Sequence, residues 1–122
     1  MPYHIIWEEE GVTIKFTRSA SAKEVMAIDD LIYAHPLFDR MKYQIFDFTG
    51  IDAFNFTSEE MIVIGSLDKS ASRWNTQMKV AIISTSESFL KSLEYYEKKI
   101  TGSPWITRVF DNMEEARRWV SV

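Results

Sequence analysis

Apolar and polar positions alternate over two short stretches near the N-terminus. Tyr3 to Glu8 alternates loosely. From Val12 to Thr17 the pattern is clean, with Val12, Ile14 and Phe16 on one face and Thr13, Lys15 and Thr17 on the other. A period of two marks a half-buried strand. Glu10-Gly11 between the stretches is a turn signal, so the pair predicts an N-terminal hairpin. The period then changes. Val25, Ile28 and Ile32 recur at helical spacing, and Ser21 with Glu24 three residues later forms a capping box ahead of them. Pro36 stops this helix, because the residue before a proline avoids helical geometry.

Tyr43 to Phe48 predicts a third strand, followed by a loop over 49–58. A helix is expected from about Thr57 to Ala71. Gly65 inside it costs roughly 1 kcal/mol relative to Ala, which close packing on the sheet would justify. Met78 to Ser84 (MKVAIIS) is nearly continuous in apolar residues, as in a strand buried on both faces. Phe89, Leu93, Tyr96 and Ile100 then make one face of a helix over 86–100, ended by Gly102 and Pro104. Trp105 to Phe110 is the last strand. Asp111 or Asn112 caps a final helix in which Met113, Ala116 and Val120 share a face, with Trp119 beside them. Strands alternating with helices of ten to fifteen residues imply parallel βαβ units. The expected fold is α/β: a mixed sheet of about five strands, an N-terminal hairpin followed by βα units, and about four helices in one domain over 1–122.

Composition narrows the chemistry. The 122 residues include no cysteine, which excludes disulfides, thiolate nucleophiles and Cys-based metal sites. A chain of this length buries roughly two-thirds of its unfolded surface and needs no metal to hold it. No apolar run approaches the roughly 18 residues of a membrane span, and the N-terminus lacks the pattern of a signal peptide. A cytoplasmic protein is therefore expected. The first 61 residues carry 5 Lys or Arg against 11 Asp or Glu, and the remaining 61 carry 9 against 7. No concentrated basic run of the kind nucleic-acid binders use is present in the sequence. The Glu8-Glu9-Glu10 run reads as a solvated hairpin end.

Three stretches carry a resemblance. IFDFTGID (45–52) resembles the strand and loop of anti-sigma-factor antagonist domains, the STAS family. MKVAIIS (78–84) is similar to their next strand. RVFDNMEEARRWV (108–120) resembles the end of the SpoIIAA-like branch, where a strand closes with Phe-Asp and a helix carries Glu-Glu-Ala and then Trp. The resemblance covers most of the chain in element order. It implies a compact α/β domain without catalysis that binds a protein or a small ligand. In the regulators of this family a Ser at the start of the second helix is phosphorylated by a partner kinase. The matching region here is Asn55-Phe56-Thr57-Ser58-Glu59-Glu60, without the family's Asp-Ser-Ser-Gly. Ser58, and less well Thr57, aligns with the acceptor.

The residues themselves favour another role for that pair. Thr57 and Glu60 have capping-box spacing, and Glu59 and Glu60 complement the positive end of the helix dipole. Phosphate on Ser58 would be repelled by both carboxylates, so capping is the preferred reading. Asp47, with Thr49, Asp52 and Asn55, falls at the strand edge where α/β folds place ligand sites. Bonding of Asp47 to loop amides is preferred there over a cation or base. Ser84 and Glu87 are also spaced as a capping box. His4 falls in the hairpin, and His35 closes the first helix, where it is expected to meet the helix carbonyl end. No metal-ligand spacing, catalytic triad or phosphate-binding glycine loop is found, so no catalytic residue, metal or cofactor is nominated. Phe54, Phe56, Met61 and Trp74 are grouped as an apolar surface. They are read first as core or as a self-association surface, which admits a homodimer, and second as the groove for a partner or small apolar ligand. The expectation is a non-catalytic binding or regulatory module using loop 49–58 and the following helix. The alternative is a carrier or sensor of an apolar or amphipathic ligand held between helix and sheet.

Overall fold

The computed structural model describes residues 3–122, and every side chain among them except those of residues 52 and 53. Strand β1 (Tyr3–Trp7) and strand β2 (Gly11–Ser21) form the antiparallel hairpin. Helix α1 (Ala22–Tyr33) follows at once, then a 3-10 turn over Phe38–Arg40. Strand β3 (Tyr43–Asn55), helix α2 (Ser58–Ala71), strand β4 (Lys79–Ile83), helix α3 (Glu87–Ile100), strand β5 (Ile106–Phe110) and helix α4 (Met113–Val120) complete the chain. The five strands are ordered β1-β2-β3-β4-β5, and every pairing after the hairpin is parallel.

Helices α1, α2 and α3 cover one face of the sheet, and α4 lies on the other. On the first face Val12, Ile14, Phe16, Phe46 and Phe48 of the sheet meet Val25, Ile28, Met61, Ile64, Phe89 and Leu93 of the helices in one core. On the second, Ile45, Ala81 and Ile83 pack against Ala116 and Val120, with Trp119 alongside. Strand β4 is therefore buried on both sides, as its unbroken apolar run requires. Gly65 does its work elsewhere than expected. A Cβ there would lie 2.8 Å from the Cβ of Lys99 and 3.1 Å from the Tyr96 carbonyl, so this glycine lets α2 approach α3 rather than the sheet.

The expected loop over 49–58 is for most of its length a strand. β3 continues to Asn55, and β2 continues past Thr17 to Ser21, so the two extensions pair from Thr17 with Gly50 to Ser21 with Asn55. Two register irregularities, between Lys15 and Thr17 and between Arg18 and Ser19, permit this. Arg18 takes a left-handed φ of 74° at the second. A bulge of this kind bends the strand and sharpens its twist. At Gly50 the strands come so close that a Cβ would lie 2.7 Å from the Phe16 carbonyl. The extension carries β2 and β3 to a common end, where α1 and α2 both begin.

Candidate functional site

The shared end of β2 and β3 holds two capping boxes side by side. Ser21 accepts from the Glu24 amide at 3.2 Å, while Glu24 accepts from the Ser21 amide at 3.1 Å. Thr57 accepts from the Glu60 amide at 3.1 Å, and Glu60 accepts from the Thr57 amide at 2.9 Å. Each box satisfies donors that a helix start leaves unpaired. The Thr57 hydroxyl is thus occupied. Ser58, the first residue of α2, is exposed, and its hydroxyl bonds to nothing among the described residues. Asn55 and Thr49 are exposed as well. Asp52 lies outside the described side chains.

Asp47 is buried, on the α4 side of the sheet. Its Oδ1 accepts from the Thr49 amide at 3.0 Å and the Thr49 hydroxyl at 2.6 Å. It faces away from the aromatic residues that border the helix start. Phe54 stacks on Phe89 of α3 with centroids 4.3 Å apart, and Phe56 meets the same ring edge-on at 5.8 Å. Phe48 lies 4.9 Å from Phe89 beneath them. Phe54 and Phe56 are half-buried lids on this cluster. Exposed Ile62 and Val63 continue the apolar surface along the first turns of α2.

Two members of the expected apolar group do not belong here. Met61 is buried in the core, because it points inward from the first turn of α2. Trp74 is 76% exposed and lies past the other end of α2, beside Leu67 and Phe38. Fourteen helical residues span roughly 21 Å, which keeps Trp74 apart from Phe54 and Phe56.

Other expected contacts also differ. The cap of α3 is Ser86, which accepts from the Phe89 amide at 3.3 Å. Ser84 is buried and accepts from the Ser86 amide at 3.2 Å, so it does not pair with Glu87. His35 stacks on Trp7 with centroids 4.4 Å apart, and its Nδ1 accepts from the Leu37 amide instead of meeting the helix carbonyls. Asn112 caps α4, accepting from the Glu115 amide at 2.9 Å.

Sequence reading missed a polar cluster under the aromatic lid. Asp68 of α2 accepts from the phenols of Tyr33 of α1 and Tyr96 of α3, one at each carboxylate oxygen. Asp29 of α1 is 1% exposed, and its Oδ2 has no partner among the described residues. Burial is the main cause that pushes the Asp68 carboxyl up to about 6, against the lowering effect of the two phenols. Burial first, then the charges of Asp68 and Asp30, push Asp29 well above the usual carboxylate range. The phenols of Tyr33 and Tyr96 are raised too, by burial and then by Asp68. A signal was available: Asp29 stands in the Val25-Ile28-Ile32 stripe, and Asp68 in the Met61-Ile64-Ala71 stripe. Both acids touch a cavity of about 40 Å³ whose other lining residues include Phe48, Phe56, Phe89 and Tyr96. That is room for one or two water molecules. Among the described residues no group of three or more His, Asp or Glu could hold a metal ion, and no helix is long and apolar enough to cross a membrane.

No protein-family model matches the sequence, and no curated protein does. Solved structures do match. The anti-sigma factor antagonist SpoIIAA in its unphosphorylated form superposes with a TM-score of 0.58 at 16% identity, over 95% of this chain and 94% of that one. The Bacillus cell fate determinant SpoIIAA in the phosphorylated form also gives 0.58 at 16% identity, over 97% and 98%. Together with the hairpin, the parallel strand order and the helix that starts beyond the end of β3, these matches establish that the chain has the SpoIIAA-like, or STAS, fold.

Proposed function

We propose that this chain is a non-catalytic regulatory module that binds a protein partner at the shared end of β2 and β3 and along the first turns of α2. The observation that carries the reading is the surface there. Half-buried Phe54 and Phe56, exposed Ile62 and Val63, and the unengaged hydroxyl of Ser58 all fall within residues 54–63, at one end of the fold. An apolar patch bordered by polar groups is what a protein contact needs. The likeness to SpoIIAA, described in both an unphosphorylated and a phosphorylated form, supports a regulatory role. Of the two candidate acceptors Ser58 is favoured, because modifying Thr57 would break its capping bond to Glu60.

The test is affinity capture from the protein's own cells with the wild-type chain and with Val63→Glu, coupled to mass mapping of residues 55–63. Val63 is exposed, so its replacement should leave the melting temperature unchanged. A partner retained by wild type and lost with Val63→Glu supports the reading. A partner retained equally by both, or none at all, overturns it. A phosphate mapped to Ser58 would identify the switch. The ligand-carrier alternative is less favoured, since the pocket of about 40 Å³ between helices and sheet would have to grow several-fold to take an organic molecule.

A further inference from the structure

At the far end of α2 from Ser58, the C-terminal turns of α2 and α3 and the loop after α3 enclose an open groove of about 580 Å³. Three cations line it, Lys69, Arg73 and Lys99, and no carboxylate does. The chain as a whole carries 18 acids against 14 bases, so a same-sign cluster runs against its composition. The two helix ends account for only part of it. Each helix C-terminus carries roughly half a negative charge, so three full positive charges leave an excess of about +2 in the groove.

The placement is organised. Lys69 Nζ donates to the Thr101 carbonyl at 3.0 Å, which fixes its ammonium across the groove. Gly65 lets the stem of Lys99 cross closely over α2. Arg73 and Lys99 form no ion pair among the described residues. The hydroxyls of Ser70 and Thr76 line the same groove, and neither bonds to a protein acceptor among the described residues. Gly102, with φ 91°, forms the floor beside Lys69, and a Cβ there would stand 3.7 Å from its Nζ.

We propose that this groove binds the phosphate group of a small soluble molecule. A phosphate monoester carries roughly 1.5 to 2 negative charges near neutral pH, which matches the excess. The guanidinium of Arg73 suits two phosphate oxygens at once, while the lysines act as point charges. The free hydroxyls can donate to the remaining oxygen. The site is independent of the partner surface at the other end of α2.

The test is an NMR titration of the ¹⁵N-labelled full chain with inorganic phosphate and with pyrophosphate, at physiological salt. Saturable shifts are expected at the amides of Ser70, Thr76, Gly102 and Ser103, with pyrophosphate the tighter probe. The pair Arg73→Gln, Lys99→Gln should weaken binding by at least about tenfold. The control pair Arg108→Gln, Arg118→Gln should leave it unchanged. If the first pair fails to fold, Lys99→Gln alone serves, since its ammonium makes no ion pair among the described residues. No saturable shift with either probe overturns the site. Equal weakening by the two pairs overturns it as well, in favour of general attraction to a basic surface.

Discussion

Tyr96 donates its phenol to the buried carboxylate of Asp68 at 2.6 Å. The carboxylate has no cation partner among the described residues; its other oxygen takes the phenol of Tyr33. A buried acid held only by neutral donors keeps its proton longer than an exposed one. Asp68 titrates at about 6 in the folded chain, above the ordinary 3.8. Between those values the unfolded chain has released a proton that the folded chain retains. Stability therefore declines as pH rises from about 4 to about 6. Asp29 is raised for the same chief reason and adds to the decline. Urea unfolding across this range checks it. Asp68→Asn should reduce the slope and Asp29→Asn with Asp68→Asn should flatten it; an unchanged slope in the double variant would exclude these acids as its source.

Thr57→Ala should destabilise the chain by about 1 kcal/mol, the usual cost of losing a helix cap. Ser58→Ala, one residue on, should stay within roughly 0.5 kcal/mol of wild type, because its hydroxyl bonds to nothing among the described residues. Chemical denaturation of the two variants separates the capping residue from its neighbour. Equal losses would mean that Ser58 shares the cap.

Glu8 and Arg117 join the hairpin to the last helix. The carboxylate takes two guanidinium N–H groups at 2.5 and 2.6 Å, and accepts as well from Thr13 and Tyr43. Chiefly through Arg117 its pKa is held down to about 2 from 4.5. A depressed acid contributes stability that is complete above its unfolded value and lost as pH falls from about 4.5 toward 2. A double-mutant cycle with Glu8→Gln and Arg117→Met should give a favourable coupling of about 1 kcal/mol at neutral pH. The coupling should shrink on acidification, and one that stays constant to low pH would refute an ionic origin.

Gly65→Ala should destabilise, against the usual gain of roughly 1 kcal/mol for alanine over glycine inside a helix. The new methyl would press on the Lys99 Cβ and the Tyr96 carbonyl, neither of which is the loose end of a side chain. The melting temperature decides between the two effects. A rise would mean that α3 can move aside without loss.

The strands and helices that could be read from the chain are those whose burial follows one period. Phe89, Leu93, Tyr96 and Ile100 are all buried on α3, and the run 79–83 is a strand covered on both faces. The second half of β3 could not be read this way. Gly50 and Asp52 are turn formers in isolation, and what makes their segment a strand is the distant bulge at Arg18, which carries no local signature. The same limit governs the site. Capping by Thr57 follows from spacing alone, whereas the inward turn of Met61 and the separation of Trp74 from Phe56 follow from how α2 is rotated against α3 and the sheet. Asp29 and Asp68 interrupt apolar stripes, a visible anomaly, but their shared phenol partners come from two other helices.

The strand order β1-β2-β3-β4-β5 repeats the order of synthesis. Each strand leaving the ribosome meets as its neighbour the strand made just before it. The sheet can therefore grow outward from the hairpin, one helix-and-strand unit at a time, with no gap held open for a segment yet to come. Growth takes place at the newest edge alone, since β1 stays the opposite edge from first to last. The last helix ties back to the first hairpin: when Arg117 reaches Glu8, 109 residues earlier, α4 is fastened to the segment from which the sheet began to grow.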